Sequence, residues 1–282
     1  MSVKLDFLRP YTCEKIRLGS KYDGGYVLPK SVLSATNVLV TFGISTNFDF
    51  EQEYLKKNQN AQVIMLDPYI GMTSDIIRLI KRIFRVTKPS IRNLVLRKLY
   101  NERTFTPPLY IQVFHRLFHW LRFYIFTLDG RVNFMKKGIA SQNSKNLLSV
   151  DQFWHGLSLD RNRGVLLKID IEGNEYQIFR QLIEKLDNVV CLLIEVHDVN
   201  SKMSEIEDFI LKSQEKGLYL VHIHGNNSDV ADQYGIPNTL ELTLAKELYL
   251  GNKCFDTREL PDKDLDAPCN PCYEDYALSF LN

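Results

Sequence analysis

Three apolar runs in the second half of the chain end on side chains that can move protons or hold charge. The run 165–169 leads into Asp170 and Glu172, 189–196 into His197 and Asp198, and 218–223 into His224, Asn226 and Asn227. If these runs are parallel strands of one sheet, their polar ends meet at one rim, where open α/β sheets bind ligands. A hydroxyl that attacks an electrophilic carbon must lose a proton. An imidazole of near-neutral pKa, oriented by a carboxylate, suits that task. The same trio of Asp170, His197 and His224 can instead hold a divalent metal that binds two sugar hydroxyls and lowers the pKa of one. Residue types leave base and ligand both open. Strand residues two apart share a face, so His222 lies on the side of His224, and Glu195 on that of His197. His115, His119 and His155 read as structural residues.

The elements that must position these groups are legible as alternating apolar runs and amphipathic stretches. A strand at 37–42 ends at Gly43 and Ser45, and 48–57 is helical with acids in its first turns. A second strand, 61–66, ends at Asp67-Pro68. Strands at 130–136, 165–169, 188–196, 218–224 and 240–244 complete a set of seven, with helices at 176–186 and 204–216 and another around 147–154. Lys21 to Pro29 contains Asp23-Gly24-Gly25, a tight turn into a short strand. The pattern is that of an α/β fold with a mostly parallel sheet and helices on both faces.

Gly43 and Asp67 stand 24 residues apart at the ends of the first two strands. Glycine there lets a ligand approach bare backbone, and the acid can accept hydrogen bonds from both ribose hydroxyls. The GxGxxG fingerprint is missing, which disfavours a dinucleotide and favours a nucleoside ligand without phosphates; S-adenosylmethionine fits that description. The loop 137–141 can lie against an adenine.

The chain has 282 residues, 45% hydrophobic and 24% charged, and a formal net charge of +1. Those proportions are ordinary for a soluble protein. The balance hides a segregation, because residues 70–128 hold eleven Lys or Arg against Asp75 and Glu102 only. The remainder carries 24 basic and 32 acidic residues. This interrupting stretch, with helical spacing at 76–85 and 113–126, reads as a basic, aromatic-rich insertion facing something anionic: a phosphorylated or nucleotide-linked substrate, an anionic membrane surface or nucleic acid. No nucleic-acid motif accompanies the charge, so nucleic acid is the weakest of the three. Neither a secretory signal nor a membrane span is apparent, and the five cysteines form no disulfide pattern, so a cytoplasmic protein is expected.

The run Leu167-Lys168-Ile169-Asp170-Ile171-Glu172-Gly173-Asn174-Glu175-Tyr176 closely resembles the central signature of FkbM-type S-adenosylmethionine-dependent methyltransferases. The resemblance extends to Asp23-Gly24-Gly25-Tyr26, Phe42-Gly43-Ile44-Ser45, Asp67-Pro68, Ile194-Glu195-Val196-His197 and His222-Ile223-His224-Gly225, and covers most of the chain outside 70–128. It implies a class I methyltransferase fold of Rossmann-like type, and an O-methyltransferase acting on sugars of surface polysaccharides or on natural products. By position it implies a cofactor site from Asp23, Gly24, Gly25, Phe42, Gly43, Ser45, Asp67, Ile139, Ala140, Asp170 and Glu172. Gly43 and Asp67 would take the amino-acid and ribose parts, Ile139 and Ala140 the adenine, and Asp170 and Glu172 the methyl end. His197 and His224 join Asp170 as candidate catalytic groups. The expectation is thus one methyltransferase domain over 1–282, methylating a hydroxyl of a sugar or sugar conjugate, with 70–128 building the acceptor site and touching the inner face of a membrane. A lipid or small-metabolite acceptor, or a non-catalytic nucleoside-binding module, are the competing readings.

Overall fold

Aliphatic runs flanked by amphipathic segments can bury their apolar faces only by stacking helices on a sheet, and the chain does so. The computed structural model describes residues 5–45, 47–70, 109–157, 164–233, 235–251 and 253–278, with backbone alone at 109–116. In chain order the elements are β1 (Lys15–Gly19), β2 (Gly25–Pro29), α1 (Val32–Ala35), β3 (Thr36–Phe42), α2 (Asp49–Lys57) and β4 (Gln62–Leu66). Next come α3 (Leu109–Thr127), β5 (Val132–Met135), β6 (Gly138–Ala140), β7 (Leu147–Ser149), α4 (Val150–Gly156), β8 (Gly164–Ile169) and α5 (Glu175–Ile183). The chain continues with β9 (Val189–Val196), α6 (Val199–Glu215), β10 (Leu218–Gly225) and β11 (Leu240–Lys246). The helix expected at 76–85 lies outside the described residues.

Seven strands form the central sheet, in the order β10-β11-β9-β8-β3-β4-β5. β3 pairs in parallel with β4 and β8, β4 with β5, and β8 with β9, whereas β11 runs antiparallel between β9 and β10. Counted by appearance in the chain, the order is 3-2-1-4-5-7-6, the class I methyltransferase arrangement that the resemblance implied. The order reverses between β3 and β8, which fixes the crevice beyond their carboxyl ends.

Strand alternation divides the core. Val165, Leu167 and Ile169 face α4, α5 and α6 through Phe153, Ile178, Phe179, Phe209 and Ile210. Leu166 faces the other way, toward Tyr26, Phe50, Tyr54 and Phe126, that is, toward the β1–β2 hairpin, α2 and α3. This second face carries polar groups as well. Lys168 Nζ sits 3.3 Å from Glu51 Oε1, with the two side chains 3% and 0% exposed. Thr41 Oγ1 donates to the same Glu51 oxygen at 3.0 Å, and the ammonium lies 4.9 Å from the centre of the Tyr26 ring. Thr243 Oγ1 donates to Val27 O at 2.6 Å and ties the hairpin to the sheet.

Two local expectations change. The helix around 147–154 begins only at Val150, because Leu147–Ser149 pairs in parallel with Gly138–Ala140. Ser149 then caps the helix by accepting from Gln152 N at 3.1 Å. The helix expected from 204 starts at Val199, with non-helical angles at Lys202.

The buried pair makes a testable claim. Lys168→Met leaves Glu51 charged and uncompensated, and should lower stability in urea unfolding by about 3–5 kcal/mol. Adding Glu51→Leu should recover most of that loss. Equal stability of the single variant and the wild type would refute this account.

Candidate functional site

At the reversal point, backbone lies directly on backbone. Gly43 follows β3 with φ +78°, and a Cβ built there would come within 1.6 Å of the Asp170 carbonyl oxygen. Asp170 N donates to Phe42 O at 2.9 Å and Gly43 N donates to Leu66 O at 2.9 Å, so the ends of β3, β8 and β4 are laced together. No side chain fits at 43, and the left-handed φ suits glycine independently. Beyond these strand ends, three non-glycine residues among those described also hold left-handed backbone: Ser45 (φ 52°), Glu172 (φ 56°) and Asp198 (φ 54°). Such residues concentrate at functional sites.

A cavity of about 820 Å³ opens here, within the range of roughly 300–1,000 Å³ usual for small-molecule sites. Gly43, Ser45, Asp67, Ile139, Ala140, Asp170 and Glu172 line it, which brings seven of the expected cofactor residues together. Among the described residues lining it there is no Lys or Arg, whereas three are carboxylates. Asp67 is more than a ligand group, since four backbone amides surround it. Its Oδ2 accepts from Ile44 N (3.1 Å) and Ser45 N (2.9 Å), and its Oδ1 from Tyr69 N (2.7 Å) and Ile70 N (3.0 Å). It therefore shapes the two loops that wall the cavity.

Helix α3 closes one side. Phe123 meets Phe48 and Phe134 edge-on, Phe126 stacks on Phe48, and Trp120 and His119 reach the cavity wall. His119, read from sequence as structural, has its Nδ1 buried with no hydrogen-bond partner among the described residues. A helix apolar almost all round was the available signal, because such a helix must cover two surfaces.

Next to the cavity, on the face of the sheet under the hairpin, Asp170, Glu195 and His197 bring one ligand atom each within 4.8 Å of one another. His197 Nε2 lies 3.6 Å from Glu195 Oε1 and 3.8 Å from Glu172 Oε2. Its Nδ1 is 3.3 Å from Glu175 Oε1, an ion-pair distance rather than an aligned hydrogen bond. The Tyr176 hydroxyl donates to the His197 carbonyl. Burial pushes the Asp170 carboxyl up to about 6 against the opposing pull of Lys168 and His197. Burial likewise raises Glu195 well above the usual carboxylate range, helped by Asp170 and Glu241. For His197 burial acts downward, but Glu175, Asp170 and Glu172 outweigh it and the imidazole ends above its ordinary value. Asn226 Nδ2 donates to Glu195 Oε1 at 3.1 Å.

The structure separates His224 from Asp170 and His197. Both its nitrogens are engaged, Nδ1 with Glu241 Oε2 at 2.8 Å and Nε2 with Asp275 Oδ2 at 2.9 Å, and Cys269 Sγ lies 3.7 Å from Glu241 Oε1. The structure thus does not bring His224 together with Asp170 and His197 as the expected trio, and with both nitrogens engaged the residue clamps the C-terminal tail. Asn227 does the same, donating to Asn270 O, Tyr273 O and Glu274 O. His222 Nε2 pairs with Asp266 at 2.8 Å. Asp23, Gly24 and Gly25 are absent from the cavity wall. Asp23 O accepts from Asn47 Nδ2 at 2.8 Å and a Cβ on Gly24 would strike that amide, so the turn braces the loop after Gly43. Phe42 is fully buried behind the wall, edge-on to Phe153.

The sheet order is that of the class I methyltransferase fold. Residues 133–220 match the family model of the methyltransferase FkbM domain, and the chain is an S-adenosylmethionine-dependent methyltransferase. Similar solved structures include the precorrin-6y C5,15-methyltransferase of Geobacter metallireducens (10% identity, 76% of this chain and 84% of that one, TM-score 0.35). Another is a putative tRNA (m1A22) methyltransferase of Streptococcus pneumoniae in complex with S-adenosyl-L-methionine (13%, 79% and 72%, 0.35). A third is a putative rRNA methylase of Clostridium thermocellum (8%, 77% and 91%, 0.39). Comparison with curated proteins finds no match.

The clamp around His224 has a pH signature. Burial opposes its charge, yet Asp275, Cys269 and Glu241 raise its pKa well above the ordinary value. A histidine raised on folding gives stability that is complete below its unfolded pKa, about 6.5, and lost as pH rises through the folded value. Melting temperature should thus fall on the alkaline side, and His224→Asn should lower stability at pH 6 by about 3 kcal/mol or more while flattening that slope. An unchanged alkaline slope in the variant would exclude the clamp as its source.

Proposed function

We propose that the protein transfers a methyl group to a hydroxyl oxygen of a sugar or sugar conjugate, the whole chain acting as one domain with 70–128 facing the acceptor. The observation that carries the donor half is the cavity at the strand reversal, walled by bare backbone at Gly43 and by Asp67, Asp170 and Glu172, with no Lys or Arg among its described lining residues. That donor set fits a cationic nucleoside without phosphates. Bound there, S-adenosylmethionine supplies an electrophilic methyl carbon on a positively charged sulfur.

The residues divide the remaining work. Ile139 and Ala140 offer an apolar wall to the adenine, Trp120 a ring to stack on it, and His119 Nδ1 a polar edge. Ribose hydroxyls that reach Asp67 share its oxygens with the Tyr69 and Ile70 amides. Asp170 and Glu172 place negative charge beside the sulfonium end. An acceptor hydroxyl over the rim of Asp170, Glu195 and His197 attacks the methyl carbon. The carbon–sulfur bond breaks with its electron pair going to sulfur, and the hydroxyl proton leaves through the rim, where Glu172 is 83% exposed to solvent.

A specific observation favours an acceptor presented at a membrane. The face of α3 turned away from the cavity carries Leu117, Phe118, Leu121, Tyr124 and Ile125, each 49% to 58% exposed, and Leu128 continues it. No acid occurs between Glu102 and Asp129, within a basic stretch. Exposed apolar surface in a segment of basic sequence suits the headgroup region of an anionic bilayer. Among the described residues no helix is long and apolar enough to cross one.

Two measurements test this reading. Calorimetric titration with S-adenosylhomocysteine should show binding by the wild type and a loss of about tenfold or more in Asp67→Ala; full affinity in the variant would remove the ribose assignment. In sedimentation with vesicles, phosphatidylglycerol should retain the protein and phosphatidylcholine should not. The pair Leu121→Glu and Ile125→Glu should weaken retention by about tenfold. Equal retention with both charges in place would discard the membrane contact.

A further inference from the structure

We infer that Asp170, Glu195 and His197 form a binding site for a divalent cation, Mg²⁺ or Mn²⁺, beside the methyl-donor cavity. The three ligand atoms lie within 4.8 Å of one another, a spread that one ion with bonds of about 2.0–2.4 Å can bridge. Two carboxylates and one imidazole are the hard, oxygen-rich donors these ions accept. The ligands are held from behind, as metal ligands are. Glu175, fully buried at the start of α5, faces His197 Nδ1 and turns Nε2 toward the acids. Asn226 steadies Glu195. The Asp170 side chain makes no hydrogen bond to any described residue and lines the cavity. Glu195 brings in a ligand that the sequence trio of Asp170, His197 and His224 lacked.

Charge counting points the same way. Glu172, Glu175 and Glu241 act electrostatically on this group along with Asp170 and Glu195. Among the described residues the cations acting on Asp170 are Lys168, already paired with Glu51, and His197. Crowded, part-buried carboxylates are unfavourable unless they are neutralised, and a divalent ion bound among them supplies the missing positive charge. The other cluster of similar make-up, His224 with Glu241 and Cys269, is closed to a metal. Both imidazole nitrogens are taken, and burial first, then Glu241, pushes the Cys269 thiol up to about 12, so no thiolate forms.

Three protein ligands leave positions open for two neighbouring oxygens of one acceptor, which selects a vicinal diol and lowers the pKa of the hydroxyl that is methylated. This last step rests on the methyl-transfer reading; the cation site itself rests on the rim geometry.

The test is Mn²⁺ titration of the full-length, chelator-treated protein, followed by electron paramagnetic resonance, with S-adenosylhomocysteine calorimetry in parallel. The wild type should bind one Mn²⁺, competed by Mg²⁺, with nitrogen modulation from an imidazole. Glu195→Gln and His197→Ala should each weaken Mn²⁺ binding by about tenfold or more, and His197→Ala should erase the nitrogen signal, while both keep S-adenosylhomocysteine affinity and so report a folded protein. Absent Mn²⁺ binding, or binding unchanged in either variant, overturns the site whether or not S-adenosylhomocysteine binds. Should Glu195→Gln lose both ligands, the wild-type nitrogen signal alone decides: its presence keeps the site and its absence removes it. Intact Mn²⁺ binding without S-adenosylhomocysteine binding would sustain the site and remove only the methyl-donor reading.

Discussion

The structure depends on one close approach, that of the Gly43 backbone to the Asp170 carbonyl where the sheet reverses its strand order. Parallel strands joined by crossovers diverge at the reversal, so a crevice forms there whatever the sequence. Whether it holds a ligand depends on how near the two strand ends come and what lines them. Here they touch through backbone, leaving the next residues of each loop, Ser45 on one side and Glu172 on the other, to wall the cavity. A side chain at 43 would push β3 and β8 apart and shift both walls.

The two faces of the sheet do different jobs. The face toward α4, α5 and α6 is apolar and supplies most of the burial. The other face carries Lys168, Glu195, Glu241, His222 and His224, all buried, under the N-terminal hairpin and the C-terminal tail. Burying this many charges is expensive unless each has a partner. Partners come from distant chain segments: Glu51 for Lys168, Asp266 for His222, Asp275 and Glu241 for His224, and Asp256 for Lys15. The tail thus supplies the countercharges of Lys15 and His222 and one of those of His224. The portion of this face nearest the cavity is where acids outnumber their partners.

Much of this was readable beforehand, and the omissions have physical causes. The seven strands and the mostly parallel sheet follow from apolar runs too long and too uniformly aliphatic to be half-exposed. Period-two alternation also placed Glu195 with His197 and His222 with His224 on their faces. Alternation tells which face a side chain takes but not what covers it, and the covering segment around Asp266, Cys269 and Asp275 lies more than 40 residues from the histidines it binds. His224 therefore looked like a free strand-end imidazole. His119 failed in the opposite sense: on a helix with aromatic residues all round, one histidine carries no mark of facing a cavity until the packing of Phe123 and Phe126 fixes the rotation.

A harder limit concerns the acids at the strand ends, because shaping a loop and facing a ligand require the same residue type. Asp67 accepts the amide of Ser45, and Glu175 Oε1 accepts those of Ile171 and Gly173, on either side of Glu172. Ser45 and Glu172 are two of the left-handed residues, each costing on the order of 1–3 kcal/mol of backbone strain. A buried carboxylate that collects several amides can offset such strain, since charge-assisted hydrogen bonds of this kind are the stronger ones. So in the run from Asp170 to Glu175 the acids divide. Glu175 holds the turn through Oε1, and Asp170 and Glu172, freed of backbone duty, face the cavity. Spacing in the sequence does not separate the two roles; the hydrogen bonds of the folded turn do, and they leave Asp170 and Glu172 as its acids able to act on a ligand.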